Sequence, residues 1–253
     1  MRFARRVSAA ATLAIAVSVS LPAAAPGAQQ APQPIAAPPV AENQAPLPAP
    51  PGEISPDYAV PAVQKVAPGK YRLGEILIDK GARSISFPAE VNMKQGLLEY
   101  LLVKNGGKTH ESLLRTRVQP YHLQLACLLL GMEGGRRALS AQGAAETPDG
   151  ETVELSFQLA DGKRVRAEQW LMHLLAGERR EVPKLRWIFT GSQVRDGVFA
   201  AQSDGSIAAL YHDPVAMIDN ASPEGASDEI WYAMESAVPP VGTPVTVLIH
   251  LSP

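Results

Sequence analysis

The run Thr109-His110-Glu111-Ser112-Leu113-Leu114 places four polar side chains, with acid–base, ligand and hydroxyl chemistry among them, directly after the turn-forming Asn105-Gly106-Gly107. In a strand, successive side chains alternate faces. His110 and Ser112 then share one face with Leu114, and Glu111 lies on the other with Leu113. In that arrangement the imidazole can hold or activate the Ser112 hydroxyl, or ligate a metal, while Glu111 joins only through a bulge or strand end. The run is not the helical His-Glu-x-x-His zinc motif, because no second histidine stands at the required spacing. The plainest reading is that these groups satisfy one another and nearby backbone in a half-buried sheet. Thr109, His110, Glu111 and Ser112 are therefore candidate ligand-binding residues, and no catalytic residue is assigned.

A metal site would need further donors, drawn from His122, His173, His212 and His250. His122 and His173 fall in expected helices, where hydrogen-bonded core or boundary roles account for them. His212-Asp213 stands at a strand exit where loops gather, so His110, His212 and Asp213 form a weak candidate metal set. Thr190-Gly191-Ser192 lacks the Gly-x-Ser-x-Gly elbow that exposes a nucleophile, and reads as a strand-to-loop turn. Gly131-Met132-Glu133-Gly134-Gly135 lacks the Lys-Ser/Thr of a phosphate loop. Trp170, Trp187 and Trp231 read as core anchors, although Trp231-Tyr232 beside Asp228-Glu229 can also belong to a partner surface. Asn220-Ala221-Ser222 matches a glycosylation acceptor but is followed by Pro223, and carries no weight.

Composition narrows the classes. One cysteine, Cys127, excludes an internal disulfide, a Cys-x-x-Cys site and an iron–sulfur cluster, and no cofactor is expected. Set among leucines, its thiol reads as packed and unreactive. A formal charge of −2 with no long basic run argues against nucleic acid as a partner. Arg2, Arg5 and Arg6 followed by the apolar Val7 to Leu21 and then by small residues read as a secretory signal over residues 1–28. The apolar core is shorter than the roughly 20 residues a membrane helix needs, so no transmembrane span is expected once the signal is cleaved. Cleavage would remove three arginines and leave the exported chain mildly acidic, at −5. Residues 29–68 are dominated by Pro, Ala and Gln. They have too little apolar or β-branched content to offset ordering, which makes them a disordered tether.

The elements that must position these residues lie in one expected domain, residues 69–253. Tyr71 to Asp79 and Ser84 to Glu90 flank Lys80-Gly81-Ala82 as a hairpin, and Leu97 to Lys104 and Lys108 to Thr116 flank Asn105-Gly106-Gly107 as another. Val153 to Leu159 alternates strictly and turns at Asp161-Gly162 into Lys163 to Ala167. Arg186 to Thr190, Val198 to Gln202, Ser206 to His212 and Val245 to Leu251 add strands. Pro120 to Leu130 with Gly131 describes a short helix buried on most sides. Further helices are expected from Ala167 or Glu168 to Leu175, and from Pro214 to Ile218 with Asp213 as cap. The expected class is α+β, a predominantly antiparallel sheet with a short buried helix and one or two peripheral helices.

"GLLEYLLVKNGGKTHESLL" from Gly96, "WIFTGS" from Trp187, "DPVAMIDN" from Asp213 and "PPVGTPVTVLI" from Pro239 together resemble the YdjY-domain family of bacterial, often exported proteins. The likeness covers most of Leu73 to Leu251, and Lys108 to Leu114 is its most specific part. It implies that Thr109 to Leu114 is a family hallmark with no assigned role. Some relatives carry ferredoxin-like cysteine clusters, which implies a redox setting, but Cys127 alone cannot hold one. The functional expectation is a periplasmic or extracellular accessory module. It would bind an exported protein or small ligand around Thr109 to Ser112. The alternative is a metal-assisted hydrolase or lyase that uses that segment with His212 or Asp213.

Overall fold

The computed structural model describes residues 58–252, so the expected signal and residues 29–57 of the expected tether lie outside it. Regular structure begins before residue 69. Strand β1 (Val63–Ala67) pairs antiparallel with β2 (Lys70–Leu73), β2 with β3 (Ile76–Asp79), and β3 with β4 (Ser84–Val91). Strands β5 (Tyr100–Lys104) and β6 (Ser112–Thr116) follow, separated by a 3-10 turn at Thr109–Glu111, and then helix α1 (Pro120–Leu130). Beyond a long connection come β7 (Glu151–Gln158), β8 (Arg164–Arg166), a 3-10 turn at Ala167–Trp170, β9 (Leu171–Leu175) and β10 (Glu178–Glu181). The rest is β11 (Trp187–Phe189), β12 (Val194–Arg195), β13 (Val198–Phe199), α2 (Ala200–Asp204), β14 (Ser206–Ala209), β15 (Ile218–Asn220), β16 (Trp231–Ala233) and β17 (Pro244–Leu251).

The expected α+β class is corrected by the pairing: the chain is mostly β, 41% strand against 14% helical, and its centre is a closed eight-stranded barrel. The barrel runs β4-β17-β7-β11-β15-β14-β5-β6 and closes when β6 returns to β4, pairing Glu90 with Arg115 and Val91 with Leu114. Closure removes the unpaired edges that an open sheet would expose. Eight strands leave an interior that side chains can fill. Here strict alternation fills it: Ile85 and Phe87 of β4, Leu155 and Phe157 of β7, and Val247 and Ile249 of β17 are all buried. Each such side chain contributes about 1.5–3 kcal/mol relative to leaving it in water. Phe157 also packs on Trp170, with ring centroids 4.8 Å apart.

Several local expectations change for identifiable reasons. The Asn105-Gly106-Gly107 segment does not make a hairpin, because β5 and β6 run parallel, with Tyr100 opposite Ser112 and Lys104 opposite Thr116. The chain leaves β5 at Gly106 with φ of 83°, and Gly107 presses against the backbone of Lys104 and Asp204, where a Cβ would sit about 3.1 Å from both carbonyl oxygens. It then returns through the 3-10 turn to start β6 beside the start of β5. The expected helix over 167–175 is a single 3-10 turn followed by β9, whose cross-strand partners on β10 and β16 override its helical spacing. Asp213-Pro214 does not open a helix either. Asp213 Oδ1 accepts the Val215 N–H at 2.9 Å in a local turn, and β15 follows. Helix α1 stands as expected from Pro120 to the left-handed Gly131, but it packs through Leu123, Ala126 and Cys127 and leaves Leu128 and Leu129 largely exposed.

Candidate functional site

The strand alternation expected for Thr109 to Ser112 is replaced by the 3-10 turn, which changes which side chains meet. His110 projects into solvent, 76% exposed, with Nε2 3.4 Å from Glu111 Oε2. Ser112, the first residue of β6, is fully buried, and its hydroxyl donates to the Leu114 carbonyl at 2.8 Å. Imidazole and hydroxyl therefore do not share a face, and the pairing of His110 with Ser112 is not formed. The turn is fixed from beneath by Asn92, whose side-chain amide donates to the carbonyls of Thr109 (2.6 Å) and Ser112 (2.7 Å). The Glu99 N–H adds a bond to the Glu111 carbonyl at 2.9 Å. Partial burial, followed by the charge of Glu111, raises the pKa of the Glu99 carboxyl above the usual range, with Lys108 and His110 opposing. The turn thus presents His110 and Glu111 beside Glu99 and Lys108 on a held backbone.

His212 and Asp213 belong to a different, buried constellation. His212 Nδ1 lies 2.8 Å from the Ala144 carbonyl and Nε2 3.0 Å from the Asn220 carbonyl. Gly225 covers the ring so closely that a Cβ there would fall 2.1 Å from Nε2. Both ring nitrogens are enclosed by chain, and neither has a lone pair open to a metal. Asp213 Oδ2 accepts the Tyr100 hydroxyl at 2.6 Å, and that hydroxyl in turn accepts from the Lys108 ammonium at 2.5 Å. Burial first, and then the Asp213 charge, raise the Tyr100 phenol so that it stays protonated and donates. The Asp213 N–H donates to Asp219 Oδ2 at 3.0 Å, and burial pushes the fully buried Asp219 carboxyl well above the usual range. Among the described residues, no group of three or more His, Cys, Asp or Glu side chains is placed to hold a metal ion. His110, His212 and Asp213 are thus divided between an exposed turn and a buried network.

Apart from His250, exposed near the end of β17, the remaining candidates are spent on structure. The Thr190 hydroxyl donates to the Ala216 carbonyl at 2.7 Å and the Ser192 hydroxyl to the Val215 carbonyl at 2.6 Å. Cys127 is buried, which pushes its thiol far up. His122 Nε2 lies 2.9 Å from the Ala59 carbonyl. His173 packs edge-on to Trp231 at 4.3 Å, and burial lowers its pKa. Trp170, Trp187 and Trp231 are buried, as core anchors should be. Sequence reasoning missed Tyr100, Lys108, Glu99 and Asp219. The Tyr100–Asp213 contact spans 113 residues and leaves no local trace, whereas Lys108 stands directly before the Thr109 to Ser112 run.

Among the described residues no helix is long and apolar enough to cross a membrane. No curated protein and no solved structure matches the chain. The model of one family, described as the YdjY domain, matches residues 76–250, from the first residue of β3 to within one residue of the end of β17, and so takes in the whole barrel. The chain therefore belongs to the YdjY-domain family.

Proposed function

We propose that the protein is an exported accessory module that recognises an extracytoplasmic partner through the turn Thr109–Glu111. The observation that carries this reading is the contrast within the turn. Its backbone is pinned by Asn92 and Glu99, while the His110 side chain is left in water with no packing role. A polar loop held still by a rigid scaffold suits recognition, because little entropy is lost when it engages a partner. Export is supported by Arg2, Arg5 and Arg6 ahead of the apolar Val7 to Leu21.

The test is site-specific photocrosslinking in the native host, with a photoreactive residue at position 110 and a control at Lys163, which is exposed at the β7–β8 hairpin tip. The expected result is a discrete adduct from position 110 that is absent from position 163 and is lost in a Glu111→Lys background. Adducts of equal intensity from both positions, or none from position 110, would overturn the reading.

A further inference from the structure

The outward faces of β3, β4, β17, β7 and β8 line a groove of about 800 Å³ on the barrel wall. The register defines its floor. Leu77, Ser86, Leu248, Ser156 and Arg166 form one rung across the five strands. Thr246, Gln158 and Arg164 form part of the next. Four strand gaps make such a rung about 19 Å wide. The alternation that sends Phe87, Val247 and Phe157 inward sends these hydroxyl, amide and guanidinium groups out to the groove.

Glu168 closes one side. It is only 4% exposed, and Oε1 accepts the Leu185 N–H at 3.2 Å and Trp187 Nε1–H at 2.9 Å. Oε2 has no hydrogen-bond partner, and its closest cation, Arg166 Nε, stands 3.7 Å away. Both Glu168 and Arg166 line the groove, and Oε2 lies on the Arg166 side. A buried carboxylate oxygen left without a donor is unfavourable, and a ligand N–H or O–H would relieve it. The charges on the walls add a second requirement. Lys70 pairs with Asp79 at 2.7 Å and Lys184 with Glu154, while Arg83 and Arg164 have no carboxylate within ion-pair distance among the described residues. The groove therefore asks for a ligand that donates to Glu168, exchanges hydrogen bonds with small hydroxyls, and brings anionic oxygens to the two free guanidiniums.

We propose that this groove binds a short acidic saccharide, whose hydroxyls reach Glu168, Ser86, Ser156 and Thr246 and whose carboxylates pair with Arg164 and Arg83. A peptide is the poorer fit. The strands β4, β17 and β7 are paired on both sides, only the three-residue β8 at the rim keeps a free edge for strand addition, and Leu77 and Leu248 are the apolar footholds of the central rung. The site is independent of the turn at Thr109–Glu111.

Calorimetric titration of the full exported chain with trigalacturonate, maltotriose and tetraglutamate tests the proposal. Trigalacturonate is expected to bind at least about tenfold more tightly than either comparator. Arg164→Ala is expected to weaken it about tenfold, as loss of a charge-assisted pair should. Glu168→Gln keeps the Oε1 acceptor but turns the free position into a donor, and is expected to weaken binding about fivefold. If Glu168→Gln fails to fold, Ser156→Ala together with the exposed Arg164→Ala carries the test. The proposal is overturned by no binding at concentrations on the order of 10 mM. It is equally overturned by tetraglutamate binding as tightly as trigalacturonate, or by wild-type affinity in the folded variants.

Discussion

The two sides of the barrel handle polar side chains in opposite ways. Around β5, β14 and β15 they are buried and mostly engaged: Tyr100 with Asp213, Asp213 with Asp219, and His212 between two carbonyls. On the outer face of β4, β17 and β7, Ser86, Thr246 and Ser156 are half-buried and leave their hydroxyls to the groove. A buried polar group left without a partner is costly, so residue identity on the first side is dictated largely by folding. On the second side folding requires only the inward half of the alternation, and the outward half is free to serve recognition.

Removing a partner on the engaged side should have the largest effect. Asp213→Ala strips the acceptor from both the Tyr100 hydroxyl and the Val215 N–H, and is expected to cost about 3–5 kcal/mol in chemical denaturation. A loss below about 1 kcal/mol would break the comparison. Asn92→Ala releases the Thr109 and Ser112 carbonyls and should cost about 1–3 kcal/mol, with faster amide exchange confined to residues 109–112. Exchange that stays slow there would contradict the pinned turn.

Acidity separates the sides by sign. The Asp219 pKa is raised by burial, so its contribution is fully present below the unfolded carboxylate range and is lost as pH rises through the folded value. The pKa values of Asp79 and Glu154, on the open face, are lowered by their hydrogen bonds to Lys70 and Lys184, so their contributions are lost as pH falls through the lowered values. Thermal melts across pH should therefore lose, in Asp219→Asn, the decline that runs upward from the unfolded carboxylate range, and keep it in Asp79→Asn. The reverse pattern would mean the assignment of sides is wrong. Smallest of all, Ser156→Ala and His110→Ala should each change stability by no more than about 0.5 kcal/mol, because neither side chain makes a bond that folding needs. A larger loss in either would move that residue to the engaged side.

Much of the open side was legible from local pattern. The alternation in Val153 to Leu159 and Val245 to Leu251 identifies two barrel strands and their inward faces, the apolar Ser84 to Glu90 marks a third, and Pro120 with Gly131 brackets α1. The candidate site was only half legible. The polar run at Thr109 to Ser112 announces itself, but a 3-10 turn and a strand share its composition, and the difference decides whether His110 meets Ser112 or Glu111.

By itself, the sequence determined the single buried thiol, the positions of the alternating strands and membership of the YdjY-domain family, because composition, period and motif are properties of neighbouring residues. Tertiary structure alone decided that β5 and β6 run parallel, that β6 closes the barrel onto β4, and that Lys108, Tyr100 and Asp213 form one network. Those outcomes depend on hydrogen bonds and charges that meet only after distant segments pair, and no local pattern records which distant partner a strand or a carboxylate will find.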